Sequence, residues 1–315
     1  MSAAGPAPAT PRTIVVSGAS GLIGRALCGA LAAAGHRVVR LVRGRDAGPD
    51  ELRWQPEAGA LDLTPLAGDG PLGAVHLAGE GVGDGRWTPA RKAAIRGSRV
   101  DGTRTLVRAL LELGTRPAVL VSSSAVGYYG ADRGDTALPE DASPGNDFLA
   151  EVCQAWEAET EPARAAGIRV VTMRTGVVLS PDGGALQKLL TPFKLGVGGK
   201  VGGGRQWMPW VALSDVVEAY RFALAHGALA GPTNLAAPHP VTQAELARTL
   251  ARVLGRPAFM PLPGFMVKTL FGEMGASLLL GGQRAVPGRL LAAGFTFRHP
   301  DLEAALRHIL GRPAR

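Results

Sequence analysis

Three glycines at intervals of three, Gly18, Gly21 and Gly24, stand between the β-branched run Thr13–Ser17 and an apolar helical pattern beginning at Leu22. A strand feeding a tight glycine turn and then a helix is the context in which such a motif holds a dinucleotide. Gly18 permits the turn, Gly21 lets the backbone approach a pyrophosphate, and Gly24 lets the helix sit close to the strand. Unpaired N–H groups at the helix start face the phosphates. Gly18, Ser20, Gly21, Leu22, Ile23 and Gly24 are therefore the candidate contacts, although a turn serving packing alone would use the same glycines. The next strand, read over residues 37–42, runs out into Arg43-Gly-Arg45, with no acid before Asp46. A carboxylate there would bond ribose hydroxyls and repel a 2′-phosphate, whereas a guanidinium grips that phosphate with two donors. Arg43, helped by Arg45, points to NADP(H), while a solvated arginine at a strand end is the plainer alternative.

The wider GxxGxxG spacing resembles the short-chain dehydrogenase/reductase superfamily, in particular its extended members. So does Ser122-Ser-Ser-Ala-Val-Gly-Tyr-Tyr-Gly130, which puts Ser124 at the catalytic serine position. In that superfamily a Tyr-x-x-x-Lys pair follows on the next helix. Hydride exchange with a carbonyl carbon requires a proton at the oxygen. A tyrosine near pKa ~10 is made acidic enough by its lysine. This chain lacks the pair. Aligned on Glu157, Leu149 takes the tyrosine position and Cys153 the lysine position. No tyrosine lies between Tyr129 and Tyr220, and no lysine between Lys92 and Lys188. Ser124, Tyr129 and Glu80 are the first candidates to carry the proton, with Tyr128, Asp147 and Cys153 behind them. Each has a structural alternative: the tyrosines pack, Asp147 caps a helix, and Cys153 fills a core.

Further segments narrow the resemblance to an atypical branch called epimerase family proteins, some of them labelled cell-division inhibitor SulA-like. They are Leu77-AGE80, Ile95-RGSR99, Trp156-Glu157, Arg174-TGVVL179, Pro192-FKLGVGG199, Gly204-Arg-Gln206 with Trp210 and Asp215, and Gly282-QRAVP287 with Gly294-Phe295. The last stretch resembles a small domain of unknown function. The resemblance implies NADP(H) binding under a closing lobe. It puts Arg43 and Arg99 on cofactor phosphates, Leu77 and Ala78 on the adenosine side, and Val178 on the nicotinamide side, with Gly79 and Ser122 also against the cofactor. Arg99 shares its helix with other arginines, so a solvated basic face is the alternative. Arg205 and the glycine-rich loop 196–204 fall where extended members meet a substrate diphosphate, or form an ordinary loop.

These residues need a scaffold, and the chain can supply one. It has 315 residues, 46% of them apolar, enough for a large α/β core. Helical patterns at 22–34, 89–113 and 148–166 alternate with apolar strands at 13–17, 37–42, 74–77, 118–122 and 168–173, with a looser region around Trp54 and Asp62. The expected fold class is α/β: a Rossmann-type doubly wound parallel sheet with a smaller C-terminal lobe. Residues 1–11 read as a disordered leader, 12–178 as the nucleotide-binding domain and 179–315 as the lobe. Part of 208–236 returns to the first domain, 241–254 is a helix, and 255–310 is the family's C-terminal domain. Two cysteines argue for a reducing compartment. With no signal peptide and no run of ~20 apolar residues, a cytoplasmic protein without a membrane partner is expected. The charge of +8 comes nearly all from scattered arginines, with no basic run interleaved with aromatics, so no nucleic acid is expected. The six histidines lack metal-ligand spacing, and no G-x-S-x-G elbow is present. Three readings follow: an NADP(H) oxidoreductase of an unknown small-molecule substrate, a non-catalytic cofactor-binding regulator, and a nucleotide-sugar epimerase, which the missing pair disfavours. In the superfamily that the chain resembles, helices such as 89–113 and 148–166 often form a homodimer face; a solvated face, with Trp87 and the arginines, is the equal alternative.

Overall fold

A computed structural model describes residues 12–44, 46–69 and 72–313. The leader at 1–11 and the helper role of Arg45 lie outside the described residues. The chain begins with β1 (Thr13–Ser17), buried along its whole length. Helix α1 (Leu22–Ala33) follows and stops at Gly35, whose φ of +82° suits glycine. Next come β2 (Arg37–Val42), β3 (Glu51–Gln55), β4 (Ala60–Leu61) and β5 (Leu72–His76). The long α2 (Pro89–Glu112) starts where Thr88 accepts a hydrogen bond from the Arg91 N–H, with Pro89 in the first turn. Then follow β6 (Val119–Ala125), β7 (Asp132–Leu138), α3 (Phe148–Ala158), α4 (Glu161–Ala165), β8 (Arg169–Thr175) and β9 (Val177–Leu179). The remainder is α5 (Gly184–Lys194), β10 (Trp207–Met208), β11 (Trp210–Ala212), α6 (Leu213–Ala225), β12 (Gly231–Leu235), β13 (Val241–Thr242), α7 (Gln243–Leu254), α8 (Gly264–Gly275), β14 (Gly282–Ala285), α9 (Gly288–Ala292) and α10 (Leu302–Ile309).

Three sequence expectations need correction. The single helix over 148–166 is two, α3 and α4, because Pro162 has no N–H to continue the ladder and its ring opposes the carbonyl four residues back. The helix expected from Val241 starts at Gln243, where Thr242 and Glu245 form a reciprocal capping box. The region around Trp54 is not loose: β3 pairs parallel with β2 and adds a strand to the sheet.

The main sheet has eight strands in the order β12-β8-β6-β5-β1-β2-β3-β4. All neighbours run parallel except β3 and β4. Strand order reverses beside β1, between β2 on one side and β5 on the other. A ligand crevice opens at the carboxyl ends of such a pair. One face of the sheet packs on Leu27 and Leu31 of α1 and on Val216, Tyr220 and Ala223 of α6. The other packs on Leu106 and Leu110 of α2 and Ala163 of α4. A separate apolar cluster joins α5, α7 and α10 through Leu190, Leu250 and Leu306. Two buried carboxylates fasten the C-terminal segment. Asp215 accepts from the backbone N–H groups of Arg298 at 2.7 Å and His299 at 3.0 Å. Glu140 Oε1 accepts from those of Asn234 at 3.1 Å and Arg289 at 3.0 Å. No helix among the described residues is long and apolar enough to cross a membrane.

Candidate active site

The glycine turn is built by contact, residue by residue. Gly18 has φ +69°, and a Cβ there would lie 2.7 Å from the Ala78 nitrogen. A Cβ on Gly24 would lie 2.1 Å from the Gly18 carbonyl oxygen. Neither position admits a side chain without moving backbone. Gly21 is the N-cap of α1, with no side-chain cap and no acid in the first turn. The N–H groups opening this helix are thus left for an external acceptor, and the local dipole favours an anion. Ser20 is exposed beside them, Leu22 and Ile23 are half-buried, and Leu22 packs against Gly183 at the start of α5. Beneath the turn, the Ser17 hydroxyl accepts from the N–H groups of Leu77 and Ala78 and lies 2.7 Å from His76 Nδ1. That bond draws Leu77 and Ala78 against Gly18. The cradle therefore fits a dinucleotide pyrophosphate, with the crevice beside β1 to receive it.

Arg43, at the end of β2, is well exposed, and its one ion-pair partner among the described residues is the exposed Glu57, at 3.7 Å. Such a contact is worth little in water, so the side chain can be redirected to an anion. Arg99 sits deeper. Its guanidinium lies against Gly79, donates to the Glu80 and Ile95 carbonyls at 3.0 Å each, and stacks 5.1 Å above the Trp156 ring.

A cavity of about 180 Å³ opens next to Arg99 at the carboxyl edge of the sheet. Ala125 and Thr175, ending β6 and β8, form its floor with Gly176. Its wall is one face of α3: Leu149, Val152, Cys153 and Trp156, spaced as neighbours on a helix surface. Its far side comes from two distant segments, Trp207 to Pro209 and Ser277 to Gln283. Val177 lines it too, while the half-buried Val178 beside it pairs in register with Val211. The lining is chiefly apolar. Trp156 is buried, yet among the described residues its indole N–H has no partner, so a ligand acceptor would remove a desolvation penalty.

The structure separates the proposed proton carriers. Leu149 and Cys153 both line the cavity. Burial, then the nearby Glu157 charge, push the Cys153 thiol up to about 12. Ser124 is buried and donates to Glu157 Oε1 at 2.7 Å, within reach of the Cys153 sulfur. Tyr129 is not brought to the cavity. It is fully buried, donates to Asn234 at 2.7 Å and accepts from Arg174 at 3.1 Å. Its position is set by packing, and burial raises its pKa further from a usable value. Tyr128 lies under the Arg174 guanidinium, 3.4 Å from it. Glu80 is directed elsewhere, with its carboxylate 2.6 Å from Arg91. Asp147 reaches the cavity rim, but its carboxylate is taken up by the Ala150 and Ala131 N–H groups, as the N-cap of α3. Ser122 is wholly buried, its hydroxyl turned to the Ser123 carbonyl. Arg205 is exposed and outside the cavity lining. Sequence reasoning missed Trp156 and Gln283 as lining residues. The 149, 152, 153, 156 spacing was a usable signal for the first. Nothing local in the sequence points Gln283 at the cavity.

Glycine cradle, order reversal and cavity together define a nucleotide-binding α/β protein of the extended dehydrogenase type. Comparison with known proteins agrees. The family model of the NAD dependent epimerase/dehydratase family matches residues 14–236, and that of a domain of unknown function, DUF1731, matches 262–309. The chain belongs to the NAD dependent epimerase/dehydratase family. It is 44% identical over 300 residues to an epimerase family protein of Mycobacterium bovis, covering 95% of this chain and 98% of that one. It is 35% identical to epimerase family protein YfhF of Bacillus subtilis, covering 94% and 97%. Among solved structures, human epimerase family protein SDR39U1 (isoform 2) with NADPH aligns with a TM-score of 0.86 and 36% identity, over 95% of this chain and 99% of that one. The nucleoside-diphosphate sugar epimerase of Corynebacterium glutamicum aligns at 0.79 and 38% identity, over 96% and 59%.

Proposed function

We propose that this protein is an NADPH-dependent reductase of a small, mostly apolar carbonyl compound, with Cys153 as the proton carrier in place of the tyrosine–lysine pair. The observation that carries this reading is the cavity beside Arg99, in which Cys153 is an uncharged proton-bearing group at the lysine position. The relation to human SDR39U1, solved with NADPH, supports the cofactor, as does the absence of an acid at Arg43.

The backbone from Gly18 to Gly24 would hold the pyrophosphate, Arg43 the 2′-phosphate, and Arg99 a further anionic oxygen. When bound, NADPH supplies a hydride to the carbonyl carbon. The electron pair of the carbonyl then resides on its oxygen, and Cys153 Sγ gives that oxygen its proton. A thiol near 12 stays protonated at neutral pH, and an alkoxide is the stronger base, so the transfer runs downhill. Leu149 and Val152 exclude water, and the Trp156 N–H orients an acceptor on the substrate.

The experiment is a fluorescence titration with NADPH and NADH, then a screen of aliphatic and aromatic ketones and aldehydes for NADPH oxidation, repeated with Cys153→Ala. Tight NADPH binding and turnover that falls at least about a hundredfold in the variant is the expected result. Turnover unchanged in Cys153→Ala removes the assigned donor. Tight binding with no turnover of any carbonyl compound leaves the cofactor-dependent regulator as the reading.

A further inference from the structure

We propose that the face formed by residues 194–205 and 256–270 docks onto an anionic lipid bilayer. Of the eight large exposed apolar residues among those described, seven lie in these two segments. Leu195 and Val197 belong to the first, which continues from the end of α5. Phe259, Met260, Phe265, Met266 and Leu270 belong to the second, and Phe259 and Phe265 are 71% and 72% exposed.

The two segments run side by side. Met260 N–H donates to the Gly198 carbonyl, Leu262 N–H to that of Lys200, and Gly202 N–H to that of Leu262. Gly196 faces Pro257. On α8, Phe265, Met266, Thr269 and Leu270 form the outward face, while Val267 and Met274 turn inward. A contiguous apolar patch of this kind marks an interaction site.

Charge identifies the occupant. The chain carries only five lysines among its 34 basic residues. Lys194 and Lys200 lie in the first segment and Lys268 on α8, and all three are exposed. Lys188 is a further exposed residue of α5, and Lys92 pairs with Glu273 of α8 at 2.6 Å. Arg205 and Arg256 add two more exposed cations. Residues 183–212 contain no acid, and 255–281 contain Glu273 alone. Among the described residues, Lys194, Lys200, Arg205, Arg256 and Lys268 have no carboxylate within salt-bridge distance. A second copy of this face would bring cations against cations. An anionic lipid surface answers both features: aromatic and aliphatic groups enter the headgroup boundary while lysines meet the negative charge. The missing spanning helix concerns crossing only, and an interfacial helix is recognised by its two-sided character rather than by length. The same α8 leads directly into residues 276–280, of which Leu278 lines the cavity, so the docking face adjoins the cavity wall.

The test is flotation of the full chain with phosphatidylcholine vesicles and with vesicles in which about a third of the lipid is phosphatidylglycerol. Two variants accompany it, Phe259→Ser with Phe265→Ser, and Lys194→Glu with Lys200→Glu and Lys268→Glu. All five positions are exposed, and thermal melting verifies that both variants fold. The expected result is binding to the anionic vesicles, weakened by salt, and reduced at least about tenfold in each variant. Failure to float with either vesicle, or equal flotation of the variants, overturns the proposal. So does a concentration-dependent dimer that the phenylalanine variant abolishes, or retention on immobilised polyglutamate without vesicle binding. These would assign the face to a second copy or to an acidic protein.

Discussion

Arg174 on β8 and Glu157 on α3 meet through two hydrogen bonds of 2.8 Å each, both side chains nearly out of solvent. The pair fixes the helix that carries Leu149, Cys153 and Trp156 to the strand whose end forms the cavity floor. Glu157→Leu leaves the Arg174 charge buried without its partner, and the expected loss is about 3–5 kcal/mol in urea denaturation. Glu157→Leu with Arg174→Leu should lose less than the two single changes added together. Strict additivity would mean the two side chains do not act as a pair.

Gly24→Ala forces a Cβ against the Gly18 carbonyl. The turn must open, so NADPH affinity should fall by at least about tenfold, or 1.4 kcal/mol. Gly29→Ala on the same helix meets nothing within 4 Å and should leave binding intact. Isothermal titration of the two variants separates a steric effect at the turn from a general response of the helix.

Arg43→Ala should weaken NADPH about tenfold while leaving NADH within about twofold, because only the former carries the 2′-phosphate. Parallel fluorescence titrations measure the ratio. Equal weakening of both nucleotides would place the Arg43 contribution elsewhere.

His76 makes stability depend on acid. Burial, seconded by the Arg99 charge, holds its imidazole down to about 4, whereas an unfolded chain titrates near ~6.5. Between these values the unfolded chain binds a proton that the folded chain refuses. The contribution is complete above the unfolded value and is lost as pH falls through the window, by about 3 kcal/mol at pH ~4. Urea midpoints for the parent and for His76→Asn, measured from neutral pH downward, should converge toward the acid end. A parallel pair of curves would exclude His76 as the source.

Asp215→Ala removes the acceptor for two backbone N–H groups in a fully buried site. A cost of about 2–4 kcal/mol is expected in the melting transition. Proteolysis at low protease concentration should then cut first near Arg298 and His299.

Local patterns made much of this legible. The glycine spacing after a buried strand announced the cradle, and the run Thr13–Ser17 is a strand at those residues. The bounds of β2 were equally plain in its β-branched sequence. Strand β3 was harder because its five residues alternate weakly: only Trp54 is fully buried, against α2 and His76, with Leu52 half-buried beside it. The cavity was half legible. Its α3 wall follows from helical spacing, but its far side is made by residues near 208 and 280, which no local pattern links to α3. The family motifs Trp156-Glu157 and Arg174 were visible as motifs. Their joint role as one buried ion pair required the fold that brings them together.

The placement of β12 has a bearing on how the chain is made. This edge strand pairs with β8, yet residues 176–230, carrying β9, α5, β10, β11 and α6, intervene. A growing chain that has emerged through β8 therefore exposes an open parallel edge, with hydrogen-bonding groups of Val171 to Thr175 unpaired, until β12 follows. The slowest event in biogenesis should be the capture of that late strand, and stalled chains ending between 180 and 230 should be the ones that chaperones hold and that aggregate.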